Sequence, residues 1–136
     1  MIAQKSSGCL LIFVAGPYSD ADPSVRKANV ARIRAIVRDL MLRGHYVLEC
    51  HSLEDALRDD GELTHAHFLR QTLGWLGRCD ALYYLGSSPG ADIELARAQS
   101  LGLPIFHALS EVPTAGDIGA EVADVDNMLL SLEGAE

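Results

Sequence analysis

Between Cys79 and Phe106 the chain reads CDALYYLGSSPGADIELARAQSLGLPIF, and no other stretch restricts the fold as much. Residues 81–85 form a short apolar run with two tyrosines, the pattern of a buried strand. The segment Gly86-Ser87-Ser88-Pro89-Gly90 can neither prolong a strand nor sit inside a helix. Residues 91–101 then read as a helix with Ile93, Ala96, Ala98 and Leu101 available for its buried side. Gly102 ends that helix, and residues 103–107 re-enter the sheet. Such a βαβ unit demands a parallel sheet. It also puts its glycine- and serine-rich loop at the carboxyl end of a strand, where open α/β sheets hold ligands.

The rest of the chain repeats the alternation. Residues 9–15 (CLLIFVA) are a continuous apolar run, as expected of a central parallel strand. Gly16-Pro17-Tyr18-Ser19 breaks it, Asp22 is placed to cap a helix, and Pro23 suits that helix's first position. Ile33, Ile36, Val37, Leu40 and Met41 keep helical spacing up to Arg43, with Gly44 as the stop and the basic residues largely on a solvated opposite side. Residues 46–50 read as a second strand. Residues 51–63 read as an acidic irregular segment with a helical turn at 52–57. A helix over 65–78 turns Phe68, Leu69, Thr72, Leu73 and Leu76 to the sheet. After a loop at 110–119, residues 122–132 predict a last helix with Val125, Met128, Leu129 and Leu132 inward. The expected architecture is one α/β domain over 1–136: a flavodoxin-like or Rossmann-like doubly wound parallel sheet of four to five strands.

Composition narrows the function. A net charge of −8 argues against a nucleic-acid polymer as partner, while leaving room for a small anion held by local donors. No apolar run approaches the roughly 20 residues of a membrane span. Residues 1–8 lack the basic start and cleavage site of a signal peptide. Cys9, Cys50 and Cys79 have no metal-type spacing and read as buried free thiols in a reducing cytoplasm. No metal or cofactor is expected.

The chemistry is expected where three loops meet at the carboxyl end of the sheet: Gly16-Pro17-Tyr18-Ser19, the segment around His51, and Gly86 to Gly90. Glycines 16 and 90 admit a ligand close to the backbone, and Ser87 and Ser88 bring hydroxyls. The amides opening the next helix complete a plausible phosphate cradle, although GSSPG is also an ordinary loop. Glu94 follows just past this loop. The helix dipole is expected to keep it ionised, as a nucleophile must be. Asp92 reads as a dipole partner in the first turn.

The segments FVAGPYSD, GRCDALYYL and SSPGADIELARAQSLGLPIF resemble the nucleoside 2-deoxyribosyltransferase superfamily, most closely its small bacterial and phage branch, over residues 9–107. The resemblance implies cleavage of a base–sugar bond in a nucleoside or nucleoside 5′-monophosphate, by hydrolysis or base transfer. It also implies a homodimer or higher homo-oligomer whose sites borrow residues from a neighbour. Glu94 matches the glutamate that attacks the anomeric carbon, and Tyr18 matches the residue that packs on the base. Ser88, six residues before the nucleophile, stands where the monophosphate hydrolases have serine and the free-nucleoside transferases an acid. Two positions depart from the pattern: Phe13 replaces a tyrosine, and Thr72 replaces an aspartate that helps the base to leave. The alternative carried by those departures is a non-catalytic nucleotide-binding or sensing domain. Asp126 and Asn127 match positions that reach into a neighbour's site.

The other polar residues read as structural. Asp80 enters a strand, and Tyr83 and Tyr84 pack on opposite sides of the sheet. His45 reads as a surface or capping residue, and His107 as a strand end. His65 and His67, two apart on a helix, make a poor metal pair.

Overall fold

We describe a computed structural model of the chain over residues 8–134; residues 1–7, most of the segment read for signal-peptide features, lie outside the described residues. The central strand is β1 (Leu11–Ala15), fully buried from Ile12 to Ala15. It pairs in parallel with β2 (Tyr46–Leu48) on one side and β3 (Ala81–Tyr84) on the other, and β3 pairs in parallel with β4 (Ile105–Phe106). The sheet order is β2-β1-β3-β4. Phe13 lies opposite Leu48 and Leu82, so the register brings the loops after β1, β2 and β3 to one end, as expected.

Alternation along the strands builds two cores. Ile12, Val14, Ala81 and Tyr83 face one way, onto Ile33 and Leu40 of α1 (Pro23–Leu42). Phe13, Ala15 and Leu82 face the other, onto Leu76 of α3 (His65–Leu76) and Ala91 and Ala98 of α4 (Pro89–Ser100). This is the two-sided burial that makes parallel strands read as unbroken apolar runs. Cys9, Cys50 and Cys79 are buried, and among the described residues no helix is long and apolar enough to cross a membrane.

Side chains set several boundaries. The N–H of Leu10 donates to His45 Nδ1 at 3.1 Å and that of Leu11 to Asp80 Oδ2 at 2.8 Å, so β1 begins two residues later than expected. His45 is therefore buried, not a surface residue. Its Nδ1 accepts, so Nε2 carries the proton and donates to the Pro113 carbonyl. β2 is short because Glu49 accepts from the Ser52 N–H at 2.9 Å and turns the chain into α2 (His51–Leu57), which is the helical turn expected at 52–57, one residue longer at its start. Asp22 caps α1 as expected, accepting from the Ser24 N–H at 2.9 Å.

Three apolar expectations fail. Met41 is exposed. On α4 the buried positions are Ala91, Glu94 and Ala98, while Ile93, Ala96 and Leu101 face solvent. The face at i, i+3 and i+7 thus includes the carboxylate, and a count of apolar residues turns the helix the wrong way. The last helix, α5 (Gly119–Glu133), forms, but Val125, Met128, Leu129 and Leu132 are all exposed, because no other described element lies over them.

Gly44 ends α1 with φ +93°, and a Cβ there would lie 2.7 Å from Ile118 Cγ2. Gly74, on the exposed side of α3, has nothing within 4 Å of a Cβ. Gly44→Ala should therefore destabilise by about 1–3 kcal/mol, from left-handed strain and the clash. Gly74→Ala should stabilise by roughly 0.5–1 kcal/mol. Denaturant midpoints of the two variants check the contrast; equal shifts would contradict the backbone geometry given for Gly44.

Candidate active site

The carboxyl ends of β1, β2 and β3 open onto a cavity of about 340 Å³, in the range of small-molecule sites. Its walls come from the β1 loop (Gly16, Tyr18), from α2 (His51, Glu54), from α3 (His65, Thr72) and from the start of α4 (Ser88, Gly90, Glu94). Of the residues expected to form the site, Gly16, Tyr18, His51, Ser88, Gly90 and Glu94 meet here. Pro17 and Ser87 do not line the cavity. The Ser87 hydroxyl donates to Asp92 Oδ2 at 2.7 Å, and Tyr84 donates to the other oxygen at 2.7 Å. Asp92 therefore ties β3 and its loop to α4, beyond serving the helix dipole.

Gly16 is required by contact. A Cβ there would lie 2.8 Å from the Leu85 Cβ, so the loops after β1 and β3 pass within backbone distance. The next residues position Tyr18, which is buried and donates its hydroxyl to Asp55 Oδ1 at 2.9 Å. Burial, then the Asp55 bond, pushes the phenol to about 12, so it stays protonated and fixed. Its ring lies 5.9 Å from that of His51. His51 Nε2 lies 3.0 Å from the Gly16 carbonyl oxygen, which can only accept, so this nitrogen carries a proton. The other ring nitrogen is buried, lacks a hydrogen bond, and faces Glu49 Oε2 at 3.5 Å. Burial opposes the charge on Glu49, but contacts to His51 and Ser52 outweigh it and hold the carboxyl at about 2.

Ser88 caps α4 by accepting the Ala91 N–H at 3.1 Å, and its carbonyl takes the Asp92 N–H at 2.8 Å. Pro89 has no N–H. The cradle expected at this helix start is thus largely filled by its own cap, leaving the Gly90 amide and the Ser88 hydroxyl proton for a ligand.

Glu94 sits more than one turn past the cap, 7% exposed. Burial pushes its carboxyl above the usual range; the Thr72 hydroxyl and nearby His51 draw it back, and Glu54 pushes it further up. The helix dipole, expected to govern this carboxyl, acts within the first turn; beyond it burial is the larger influence and raises the carboxyl. Thr72 is itself buried and donates to the Leu69 carbonyl at 3.0 Å.

Glu54 and His65 were not foreseen as site residues. His65 Nδ1 lies 2.9 Å from Glu54 Oε1, joining α2 to α3 across the loop between them. His67 turns away, accepting the Thr64 N–H at 3.0 Å. The i, i+2 spacing announced that the two histidines separate; nothing in the spacing announced the Glu54 partner. Among the described residues no group of three or more potential ligands could hold a metal ion. Compared with known protein families and with curated proteins, the chain matches none.

These charges have opposite signatures in stability. Glu94 has a raised folded value, so its penalty is absent below about pH 4.5 and fully present once pH exceeds the folded value. Glu94→Gln should unfold at higher temperature than wild type at neutral pH, with the gain vanishing in acid. Glu49 is depressed from 4.5 to about 2, so its contribution is present above pH 4.5 and lost as pH falls toward 2. Glu49→Gln should be destabilised at neutral pH and converge on wild type in acid. Thermal melts across pH check both signs.

Proposed function

We propose that the cavity binds a (deoxy)nucleoside 5′-monophosphate or nucleoside, and that Glu94 cleaves its N-glycosidic bond by hydrolysis or base transfer. The observation that carries this reading is a buried carboxylate in the cavity wall, more than one helix turn beyond a serine-capped helix start. The sequence resemblance to the nucleoside 2-deoxyribosyltransferase superfamily supports the same assignment.

In the first step a Glu94 oxygen forms an ester bond to the anomeric carbon while the C–N bond breaks. The bond's electrons leave with the base, which takes up a proton. In the second step water, or the nitrogen of another base, attacks the same carbon. Glu94 departs as carboxylate, and the attacking group gives up a proton. The chemistry is that of a retaining glycosidase. Desolvation makes the carboxylate more reactive once it is charged; His51 nearby favours the charge, and so does the Thr72 hydroxyl when its one proton turns from the Leu69 carbonyl to Glu94. Tyr18, immobilised by Asp55, offers its ring for stacking on the base.

A second reading, a nucleotide-binding or sensing domain without catalysis, rests on Thr72 and Phe13. Thr72 has no acidic proton for the leaving base, and the Phe13 ring is wholly buried in the core. Assembly belongs to the first reading: a second copy of the chain would cover the exposed Met128, Leu129 and Leu132 side of α5. Light scattering should then give a dimer or larger species, and a monomer at high micromolar concentration would contradict it.

Incubation with a panel of nucleosides and monophosphates, followed by chromatography for free base, separates the two readings. Free base supports catalysis; a retained, uncleaved ligand supports the binding domain. Glu94→Gln should lower base release by several powers of ten, on the order of what loss of a nucleophile costs. The acid limb of the wild-type rate should lie above about pH 4.5, because Glu94 must ionise from a raised value. Ser88→Asp keeps an oxygen to cap α4 but adds a charge. It should abolish monophosphate turnover and spare free nucleosides; equal losses would contradict the phosphate assignment.

A further inference from the structure

The cavity offers an anion few positive partners. None of the residues lining it is lysine or arginine, while Glu54 and Glu94 are acidic. The helix start supplies little more than the Gly90 amide and the Ser88 hydroxyl, since the cap uses the rest. Two lining side chains can become cations, His51 and His65. His51 is committed to the protein: one nitrogen bonds the Gly16 carbonyl, and the other is buried against Glu49.

His65 is not so committed. Glu54 Oε1 can only accept, so the contact at 2.9 Å fixes the proton on Nδ1 and turns Nε2 the other way. That nitrogen lies over the start of α4, since a Cβ on Gly90 would sit 3.2 Å from it. Glycine at 90 therefore leaves the space the imidazole occupies. The His65 side chain is 60% exposed, against 14% for Glu54, so a partly buried carboxylate orients a ring that remains open to a ligand.

We propose that His65, oriented by Glu54, is the cationic contact for the 5′-phosphate, acting with the Ser88 hydroxyl and the Gly90 amide at the start of α4. The assignment rests on the reading that the cavity takes a sugar phosphate. Protonated at Nε2, His65 donates one charge-assisted hydrogen bond to a phosphate oxygen while Nδ1–H stays on Glu54. Its place by Gly90, more than a turn from Glu94 along α4, puts it at the phosphate end and away from the leaving base. Around it, Glu54 is its direct partner, Glu94 lies further along α4, and His51 is held by Gly16 and Glu49. Tyr18 and Cys50 are both pushed up to about 12, chiefly by burial, and stay neutral through the range in which a histidine titrates.

Calorimetric titration of the full chain with 2-deoxyribose 5-phosphate and with 2-deoxyribose, neither carrying a base, tests this at about pH 6 and about pH 8. His65→Gln should weaken the sugar phosphate by roughly tenfold at the lower pH, typical of one charge-assisted hydrogen bond, and narrow the difference between variant and wild type at the higher pH. Binding of the unphosphorylated sugar should not change. Glu54→Gln should weaken the sugar phosphate in the same direction, whereas His67→Gln, whose ring faces the start of α3, should match wild type. A His65→Gln protein that binds the sugar phosphate as tightly as wild type at both pH values overturns the proposal. So does a wild type that does not bind it; if that protein still releases base from nucleosides, the glycosidic reading stands without the phosphate contact. His65-dependent binding with no base release upholds the contact and favours the binding domain.

Discussion

A strand buried on both faces with parallel neighbours on both edges leaves little freedom to what surrounds it. β1 is in that position, and its pairing with β2 and β3 makes the chain return each time from the opposite end of the sheet. The segments that leave β1, β2 and β3 must then crowd together at their carboxyl ends. Here they come so close that position 16 tolerates no side chain, since its Cβ would meet that of Leu85. The cavity is the space left where these departing segments cannot fill the volume between α2, α3 and α4. Its position follows from the sheet; its chemistry follows from which side chains the helices turn toward it.

Those side chains are electrostatically uneven. Glu49 is ionised down to about 2 and belongs to the scaffold, bound to Ser52 and set against His51. Glu94 is buried with weaker support, and its carboxyl is raised. The fold therefore tolerates a strained charge at one place and satisfies its neighbour at another, a separation common at catalytic centres. The histidines divide similarly. His45 and His51 hold backbone carbonyls, His67 holds a helix start, and His65 keeps a nitrogen free beside α4.

The sheet and most site positions were legible because they depend on local signals. The unbroken run ending at Ala15, the Gly16 and Gly86 breaks, and Pro89 after Ser88 each have one physical meaning at short range. The misses share a different cause. The burial of His45, the pairing of Glu54 with His65, and the use of Ser87 by Asp92 all join residues distant in sequence or across a loop, and no periodicity encodes them. On α4 the apolar count misled because the side turned to the protein carries Glu94 in place of Ile93. On α5 the spacing of Val125, Met128, Leu129 and Leu132 predicts an inward face, but all four are exposed, because spacing does not say what will cover a helix.

The central claim is that Glu94 forms a covalent bond to the sugar, and the stereochemistry of the product tests it without requiring that the intermediate accumulate. With methanol present as an acceptor, cleavage yields a methyl glycoside whose configuration can be read by NMR before any rearrangement. Two displacements at the anomeric carbon predict the β-glycoside, matching the configuration of the nucleotide consumed. An α-glycoside would mean a single displacement by the acceptor, with Glu94 acting as base or bystander, and would contradict the account.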